Sequence, residues 1–398
     1  MRNPDYIVVG AGIVGLAASF EIKRRFPQSK ILILEKEKDA GLHASGRNSG
    51  VLHSGIYYPP QSLKAKVCRE GQRRMTLFAQ EHRIPILPCG KLIIATEASE
   101  VPRIHSLMEN ARANQIQADL LDEEEIRKIE PHSRPYQLGI YLSHVSVVDS
   151  TGVVQELVRL LKDEGVRFAF NESVQTISPE QKVVKTLRET YSFGYLFNCA
   201  GAYADKLARF FGLASGYALI PFKGTYYDLR PDKEYLVLSN VYPVPDPTVP
   251  FLGVHFTCSV NRGVHVGPTA IPAFGRENYG ILDGLCLEEV PAILKSLVGM
   301  FASNPKFRNL SFREWTNYYK PNFLAQAKKL IPEVESDDLV PSRKVGIRPQ
   351  LIDLKKKELV MDYVIEKTPC STHVLNAISP GFTSAFSFAE LLVDGANC

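Results

Sequence analysis

Two histidines lie in sequence surroundings that suit acid–base chemistry. His53 falls within "GRNSGVLHSGIYYPP", residues 46–60, which is too polar and glycine-rich for a core element and too aromatic for an ordinary surface loop. His255 lies between Val254 and Phe256 in a strand-like run. Because imidazole titrates near neutral pH, either side chain could take a proton from a substrate. Two structural roles stay open: His53 could hold its loop through hydrogen bonds, and His255 could be an ordinary strand histidine.

Cationic and phenolic side chains that could bind an anionic substrate occur in the same regions. Tyr57 offers a hydroxyl and an aromatic wall, with simple packing as its alternative role. Lys223, Tyr226 and Tyr227 form a second cluster in "KGTYYDLR". Because side chains alternate along a strand, Lys223 and Tyr227 should point to one face and Tyr226 to the other. These three residues therefore cannot all line one pocket.

A glycine pattern near the N-terminus could place a nucleotide beside these groups. Gly10, Gly12 and Gly15 form a G-x-G-x-x-G between the apolar run at 6–9 and a helix-like segment. The first glycine permits a tight turn, the second lets the backbone approach a pyrophosphate, and the third lets the helix pack on the sheet. Glu35 ends the next apolar run, where an acid should meet a ribose hydroxyl. The unit predicts dinucleotide binding.

Two later regions predict further pieces of the same parallel sheet. "VVDSTGVVQELVRLLKDEGVRFAF" is typical of a helix, with Ser150 or Thr151 as its cap and Gly165 as its stop, followed by a strand. "HVLNAISPGFTSAFSFAELLVDG" predicts strand, loop and helix. The chain between carries strand-like runs such as "FLGVHFT" and proline-rich connections such as "VYPVPDPTVP". The single Trp315 and its aromatic neighbours are predicted to lie in the core.

We therefore expect an α/β chain, α+β overall, with a discontinuous Rossmann-like nucleotide-binding domain and an inserted antiparallel-sheet substrate domain. The expected limits are 1–85, 145–215 and 335–398 for the first domain, and 86–144 and 216–334 for the second.

Composition excludes several classes of protein. The 398 residues are 45% hydrophobic and 23% charged, which is typical of a soluble globular chain. The net charge of +4 is mild and no Lys/Arg tract stands out, so no nucleic-acid partner is expected. The seven cysteines never form a CxxC pair, so neither a metal site nor a disulfide framework is predicted. The longest apolar run, 7–18, is too short to span a bilayer, so no integral membrane segment is expected.

These motifs together resemble a known enzyme family. The glycine pattern, "GRNSGVLHSGIYYPPQSLKAKVC" and the C-terminal unit are similar to those of the D-amino-acid-oxidase-type FAD oxidoreductases, which include glycerol-3-phosphate dehydrogenase and sarcosine oxidase. Within that family, "CGKLI", "VYPVPD", "FLGVHFT", "GPTAIPAFGREN" and "VGIRPQ" resemble the L-2-hydroxyglutarate dehydrogenase/oxidase branch. The similarity runs from residue 5 to about residue 390.

The resemblance implies FAD as cofactor and oxidation of L-2-hydroxyglutarate, a small 2-hydroxy dicarboxylate, to 2-oxoglutarate by hydride transfer to the flavin. His255 is then expected to act on the substrate and His53 at the flavin face, with the choice of base still open. Arg348 is implied to bind the anionic group of the substrate, together with Lys223, Tyr226 and Tyr57. The residues expected to contact the cofactor are Gly10, Gly12, Gly15, Glu35, Lys36, Ser45, Arg47, Asn48, Ser49, Gly50, Val174, Ala200, Gly201, Gly381, Phe382 and Thr383.

The sequence leaves the electron acceptor open among oxygen, a membrane quinone and a carrier protein, because access to a flavin depends on shape. The expected location is cytoplasmic, with peripheral contact at the inner face of a membrane left open. An amino-acid or amine oxidase and a glycerol-3-phosphate-dehydrogenase-like flavoenzyme are the alternatives of the same fold. A catalytically silent FAD-binding protein is the alternative from another class.

Overall fold

The apolar runs and glycine turns of the sequence form two large β-sheets with helices packed against both. The computed structural model describes residues 3–246 and 251–396; residues 247–250, part of the predicted connection "VYPVPDPTVP", lie outside the described residues. The strands in chain order are β1 (Tyr6–Val9), β2 (Ile31–Leu34), β3 (Ile86–Leu87), β4 (Lys91–Ile94), β5 (Asp119–Asp122), β6 (Leu138–Leu142), β7 (Val147–Val148), β8 (Arg167–Ala169), β9 (Val174–Ser178), β10 (Val183–Thr186), β11 (Thr190–Ser192), β12 (Tyr195–Asn198), β13 (Tyr217–Leu229), β14 (Asn240–Pro243), β15 (His255–Cys258), β16 (Val264–Gly267), β17 (Ile271–Pro272), β18 (Leu339–Asp353), β19 (Glu358–Leu359), β20 (Val364–Thr368) and β21 (Ser371–Asn376). The helices are α1 (Ile13–Arg25), α2 (Leu63–Glu81), α3 (Val101–Ala113), α4 (Glu123–Ile129), α5 (Ser150–Asp163), α6 (Ala204–Arg209), α7 (Val290–Ser303), α8 (Pro305–Asn317), α9 (Lys320–Leu330) and α10 (Ala385–Val393).

The first sheet is the predicted nucleotide-binding sheet. Its strand order is β20-β21-β12-β1-β2-β8, and all neighbours pair in parallel except the edge strand β20. Its central strands are continuous apolar runs because both faces are covered. Helices α1, α2, α5 and α10 pack on one face, and the small sheet β9–β11 covers the other. The predicted strand–helix–strand unit at the N-terminus is confirmed.

The second sheet is mainly antiparallel, with the order β19-β18-β13-β16-β15-β14-β4-β6-β5 and β17 paired to β13. Helices α7, α8 and α9 add buried side chains to its cores. The expected fold class, a parallel nucleotide-binding sheet interrupted by an antiparallel one, is confirmed. The domain limits stay a prediction. Because β18 pairs with β13 along its length, we propose that the second return to the first domain lies after Asp353 rather than at 335.

The long pair β13–β18 forms one wall of the space between the two sheets. Its register sets Phe222 opposite Arg348 and Gly224 opposite Gly346, with a bulge between Thr225 and Tyr227. A Cβ on Gly346 would lie 2.9 Å from the carbonyl oxygen of Arg47, so this strand touches the loop that follows β2. The bulge and the close approach bring the wall against the predicted cofactor loop.

Two local predictions are wrong. The cap of α5 is Asp149, whose side chain accepts a hydrogen bond from the backbone N–H of Thr151; Ser150 is already the first helical residue. Asp is as good a cap as Ser or Thr, and the choice among adjacent candidates depends on the turn that precedes the helix. Trp315 is not in the core: it lies on α8 and is 79% exposed.

No helix within residues 3–246 and 251–396 is long and apolar enough to cross a membrane.

Gly15 is the point where α1 packs directly on the turn after β1. A Cβ at this position would lie 2.0 Å from the carbonyl oxygen of Gly10. We therefore expect Gly15→Ala to push α1 away from the sheet and to lower the free energy of unfolding by about 3 kcal/mol. Urea denaturation followed by circular dichroism measures this loss.

The matched control is Gly299→Ala in α7, where no atom lies within 4 Å of the added Cβ. Because Ala has the higher helix propensity, this variant should gain up to about 1 kcal/mol. Equal stabilities for the Gly15 variant and the parent protein would contradict the packing argument.

Candidate active site

A cavity of about 740 Å³ is lined by residues of both sheets. One end is lined by Gly10, Gly12 and Glu35 at the carboxyl ends of the parallel strands. The other end is lined by His255 and Arg348 of the antiparallel sheet. A ligand in this cavity would therefore touch both sheets, with a nucleotide end and a reacting end.

The nucleotide end has the backbone features that a dinucleotide requires. Gly10 has a φ of +105°, and a Cβ there would lie 2.5 Å from the carbonyl oxygen of Cys199. Ser45 Oγ accepts a hydrogen bond of 2.9 Å from the N–H of Ile13 at the start of α1. The Glu35 carboxylate accepts from the N–H of Ala11 at 2.8 Å, which holds the acid at the glycine turn. The turn and the acid are arranged as the sequence predicts.

A buried carboxylate gives a further reason why FAD fits this end of the cavity. Glu172 lines the cavity beside Val174, and its Oε2 is buried without a hydrogen-bond partner in the described chain. A buried carboxylate oxygen costs free energy unless a donor reaches it. The amino group of an adenine is such a donor, so the site suits an adenine dinucleotide.

The structure brings most of the predicted cofactor residues to the cavity. The residues that line it are Gly10, Gly12, Glu35, Lys36, Ser45, Arg47, Asn48, Ser49, Val174, Ala200, Gly201, Gly381, Phe382 and Thr383. Gly15 and Gly50 do not. Gly15 lies in the first turn of α1 against the turn after β1, and a Cβ on Gly50 would meet the carbonyl oxygen of Val148 at 2.5 Å, so both glycines serve packing.

The loop that carries His53 is tied to the C-terminal loop before α10. Thr383 Oγ1 accepts a hydrogen bond from the N–H of His53 and donates one to the carbonyl oxygen of Val51. Asn48 closes the start of this loop by donating to the carbonyl oxygen of Ser45. The His53 side chain lines the cavity between its two ends.

A hydrogen bond fixes His255 in the tautomer that can accept a proton at Nε2. Its Nδ1 lies 2.7 Å from the carbonyl oxygen of Gly253. Because a carbonyl can only accept, Nδ1 carries the proton and Nε2 keeps its lone pair. The ring stacks on Tyr242 with centroids 3.9 Å apart. Burial lowers the pKa of His255 to about 3. The hydrogen bond to Gly253 raises this pKa, and the Lys91 charge lowers it.

His53 is also uncharged at neutral pH. Burial lowers its pKa to about 3, with smaller contributions from the positive charges of Lys91 and Arg348. Neither ring nitrogen of His53 has a hydrogen-bond partner among the residues described. Both predicted histidines therefore reach the cavity, but only His255 has its tautomer fixed by a neighbour.

Arg348 is a partly buried cation without an anionic partner among the described residues. Its Nε has no hydrogen-bond partner, and the guanidinium forms no ion pair with any residue described. The guanidinium carbon lies 5.1 Å from the centre of the Phe251 ring. Burial lowers the pKa of Arg348 to about 10. This group is free to bind an anion in the cavity.

The other residues that were predicted to bind the substrate do not all line the cavity. Tyr226 lines the cavity, as does Gly224 on the same strand. Lys223 does not; its Nζ donates a 2.6 Å hydrogen bond to the carbonyl oxygen of Gly280. This agrees with the alternation expected along β13. Tyr57 also lies outside the lining, and its hydroxyl is buried without a partner in the described chain.

Two buried lysines beside the histidines were missed by sequence reasoning. Lys91 begins β4 and is only 1% exposed, and Lys64 lies in the first turn of α2 and is 5% exposed. Burial lowers the pKa of each ammonium group to about 7. Lys91 lies within "CGKLI", which the resemblance had marked, but a lysine at the start of an apolar run is read from sequence as an exposed strand end.

Glu37, His43 and Glu277 have ligand atoms close enough for a metal ion. Lys36 Nζ contacts Glu37 and lies 2.6 Å from Glu277 Oε1 and 2.7 Å from His43 Nε2. The ammonium group thus already forms ion pairs with both carboxylates. The cluster joins the cofactor loop to the segment before α7 as an ion-pair network.

The whole chain matches known flavoenzymes. Residues 5–395 match the family model described as FAD dependent oxidoreductase. The chain is 35% identical over 407 aligned positions to the L-2-hydroxyglutarate dehydrogenase of Indibacter alkaliphilus, with 98% of each chain covered. It is 36% identical to the mitochondrial L-2-hydroxyglutarate dehydrogenase of Homo sapiens, covering 98% of this chain and 88% of that relative.

Solved structures show the same fold. The dithionite-reduced L-α-glycerophosphate oxidase of Mycoplasma pneumoniae with FAD bound superposes with a TM-score of 0.76 at 23% identity, covering 100% of this chain and 96% of that chain. The glycine oxidase of Geobacillus kaustophilus gives 0.74 at 18% identity, covering 99% and 94%. The resemblance inferred from the sequence motifs is confirmed. The protein belongs to the FAD-dependent oxidoreductase (DAO) family and uses FAD as its cofactor.

Proposed function

We propose that the protein oxidises L-2-hydroxyglutarate to 2-oxoglutarate. The observation that carries this proposal is the reacting end of the cavity, where a histidine of fixed tautomer, His255, lines the same space as the unpaired guanidinium of Arg348. A 2-hydroxy acid needs both a base for its hydroxyl and a cation for its carboxylate. The names of the relatives with about one-third identity support the same substrate.

The chain supplies proton transfer and orientation. When bound, FAD supplies the acceptor for the hydride that leaves C2. His255 Nε2 takes the hydroxyl proton, and its low pKa keeps it unprotonated when substrate arrives. Arg348 binds the adjacent carboxylate through its planar donors, which fixes C2 in the cavity. Tyr226 closes one side of this space, and His53 faces it from the cofactor loop.

The substrate is tested by mixing the purified holoenzyme with candidate acids in the absence of oxygen. We expect L-2-hydroxyglutarate to bleach the flavin absorbance, because the site offers both a base and cations. D-2-hydroxyglutarate, glycine, L-proline and glycerol 3-phosphate serve as controls. If one of these reduces the flavin while L-2-hydroxyglutarate leaves it oxidised, the enzyme has one of the alternative activities. If none does, a catalytically silent FAD protein is favoured.

The base is tested by the matched variants His255→Asn and His53→Asn. An asparagine side chain has no titratable nitrogen, so we expect the first variant to slow flavin reduction by L-2-hydroxyglutarate by about 10²–10⁴-fold. The His53 variant should lose less, because no neighbour fixes its ring as an acceptor. Stopped-flow absorbance measures both rates. A larger loss at His53 would reverse the assignment of the base.

We further propose a membrane quinone as electron acceptor, reached by peripheral contact with an anionic membrane surface. The support is an exposed apolar face on α7 and α8, which we call the α7–α8 face. It consists of Leu294, Val298, Phe301, Phe312 and Trp315. Exposed large apolar side chains at helical spacing are typical of interfacial helices, and Trp favours the boundary between lipid and water. Lys295, Lys306 and Arg308 flank this face and suit anionic headgroups.

The membrane contact is tested by flotation with vesicles of neutral or anionic lipid. We expect binding to anionic vesicles, and we expect Phe312→Glu with Trp315→Glu to weaken it by about tenfold or more, because apolar burial is lost and like charge is added. The control is Leu187→Glu, because Leu187 is exposed but lies outside the α7–α8 face. This variant should bind anionic vesicles like the parent protein. Activity with a soluble quinone analogue should be unchanged in both variants. Failure to bind vesicles, together with rapid reoxidation by oxygen, would make oxygen the acceptor.

A further inference from the structure

The reacting end of the cavity contains more positive charge than the protein neutralises. Lys64 and Lys91 are buried and Arg348 is partly buried, and all three charges act on His53. Isolated buried cations cost several kcal/mol each unless an anion compensates them. The three cations differ in whether a carboxylate of the protein lies close enough to compensate the charge.

Lys64 has a protein anion. Burial lowers the pKa of Lys64, the Arg348 charge lowers it further, and the Asp362 carboxylate raises it. The Asp362 oxygens also accept from the N–H groups of Leu63 and Lys64. Arg348 and Lys91 have no such carboxylate within the described chain. Among the described residues, the only group whose charge would favour protonated Lys91 is the Cys68 thiol, and burial raises the pKa of that thiol to about 12. Two uncompensated cations therefore remain.

Lys91 lies directly behind the wall of the cavity. Its Nζ is 3.6 Å from the centre of the Tyr242 ring and 4.5 Å from that of the Tyr57 ring. Lys91 pairs with Asn240, two residues before Tyr242 on the same face of the sheet, and the Tyr242 ring stacks on His255 of the next strand. Tyr242 and His255 line the cavity.

Arg348 and Lys91 are separate charges, because four strands lie between β18 and β4 in the order of the sheet. Both charges lower the pKa of His53. A substrate with one carboxylate would neutralise only one of them. A substrate with two carboxylates would neutralise both.

We propose that Lys91 is the counter-charge for the second carboxylate of the substrate and thereby selects 2-hydroxy dicarboxylates over monocarboxylates. The inference rests on the proposed function, in which Arg348 takes the carboxylate next to the hydroxyl. Lys91 acts from behind the rings of Tyr57 and Tyr242, so the distal carboxylate lies at the Tyr242 side of the cavity. Tyr57, whose hydroxyl has no partner among the described residues, lies beside the same ammonium group.

The test measures binding of the product to the oxidised holoenzyme through the perturbation of flavin absorbance. 2-Oxoglutarate carries both carboxylates, whereas 2-oxopentanoate has a methyl group in place of the second. At pH 6.5 we expect Lys91→Met to weaken the binding of 2-oxoglutarate by about 30-fold or more. The same variant should change the binding of 2-oxopentanoate little. Lys91→Arg, which keeps the charge, should stay within a few-fold of the parent protein.

The same assay against pH gives an independent readout in the unmodified enzyme. Protonated Lys91 binds an anion, and its pKa in the free protein is about 7. The dissociation constant of 2-oxoglutarate should therefore be flat below pH 7 and rise by up to about tenfold per pH unit above it. The constant for 2-oxopentanoate should not rise. Lys64→Met is the matched control and should keep the pH dependence, whereas Lys91→Met should lose it.

The outcomes separate the two proposals. If L-2-hydroxyglutarate reduces the flavin of the parent enzyme but Lys91→Met weakens both oxo acids equally, Lys91 only supports the fold or His255, and this inference is overturned. A flat pH profile for 2-oxoglutarate in the parent enzyme overturns it as well, without any variant. Loss of the pH dependence in Lys64→Met alone would move the role to Lys64. If the parent enzyme neither binds 2-oxoglutarate nor is reduced by L-2-hydroxyglutarate, the proposed function itself is wrong.

Discussion

Burial of positive charge without matching negative charge is the constraint around which the reacting end is built. Lys91 and Arg348 lie among aromatic rings, and the Tyr57 and Tyr242 rings lie against Lys91. Ring faces offset part of the cost of such a cation, at about 0.5–2 kcal/mol each. The remainder must be offset by stability elsewhere or by a ligand, and it is largest when the cavity is empty.

The scaffold that tolerates this charge is the pairing of β13 with β18. The two strands pair from Tyr217 with Asp353 to Leu229 with Leu339, which makes a long wall of backbone hydrogen bonds that is interrupted at the bulge between Thr225 and Tyr227. Arg348 lies in the middle of that wall, where a rigid strand fixes the direction of its side chain. His255 and Lys91 lie on other strands of the same sheet. The reacting groups therefore share one sheet, while the nucleotide end is built on the other, so catalysis depends on how closely the two sheets pack.

Features set by local chain chemistry could be predicted from the sequence, and those set by distant pairing could not. The turn at Gly10 and the strands beside it follow from glycine geometry and apolar runs, and both were predicted. Lys91 was missed because its burial arises when β4 pairs with β14, whose residues come much later in the chain. Trp315 was misplaced for a related reason. An aromatic residue is usually buried, and only the packed positions of α7 and α8 show that this face has no covering element among the described residues.

The two ends of the cavity offer different groups to a ligand. Acidic groups, Glu35 and Glu172, lie at the nucleotide end, where they can accept hydrogen bonds from ribose hydroxyls and an adenine amino group. At the other end, Arg348 lines the cavity and Lys91 lies behind its wall. In the proposed function these two cations attract the carboxylates of the substrate, while the sugar and base of the dinucleotide find acceptors at the first end. Cofactor and substrate would then occupy opposite ends and meet beside His53.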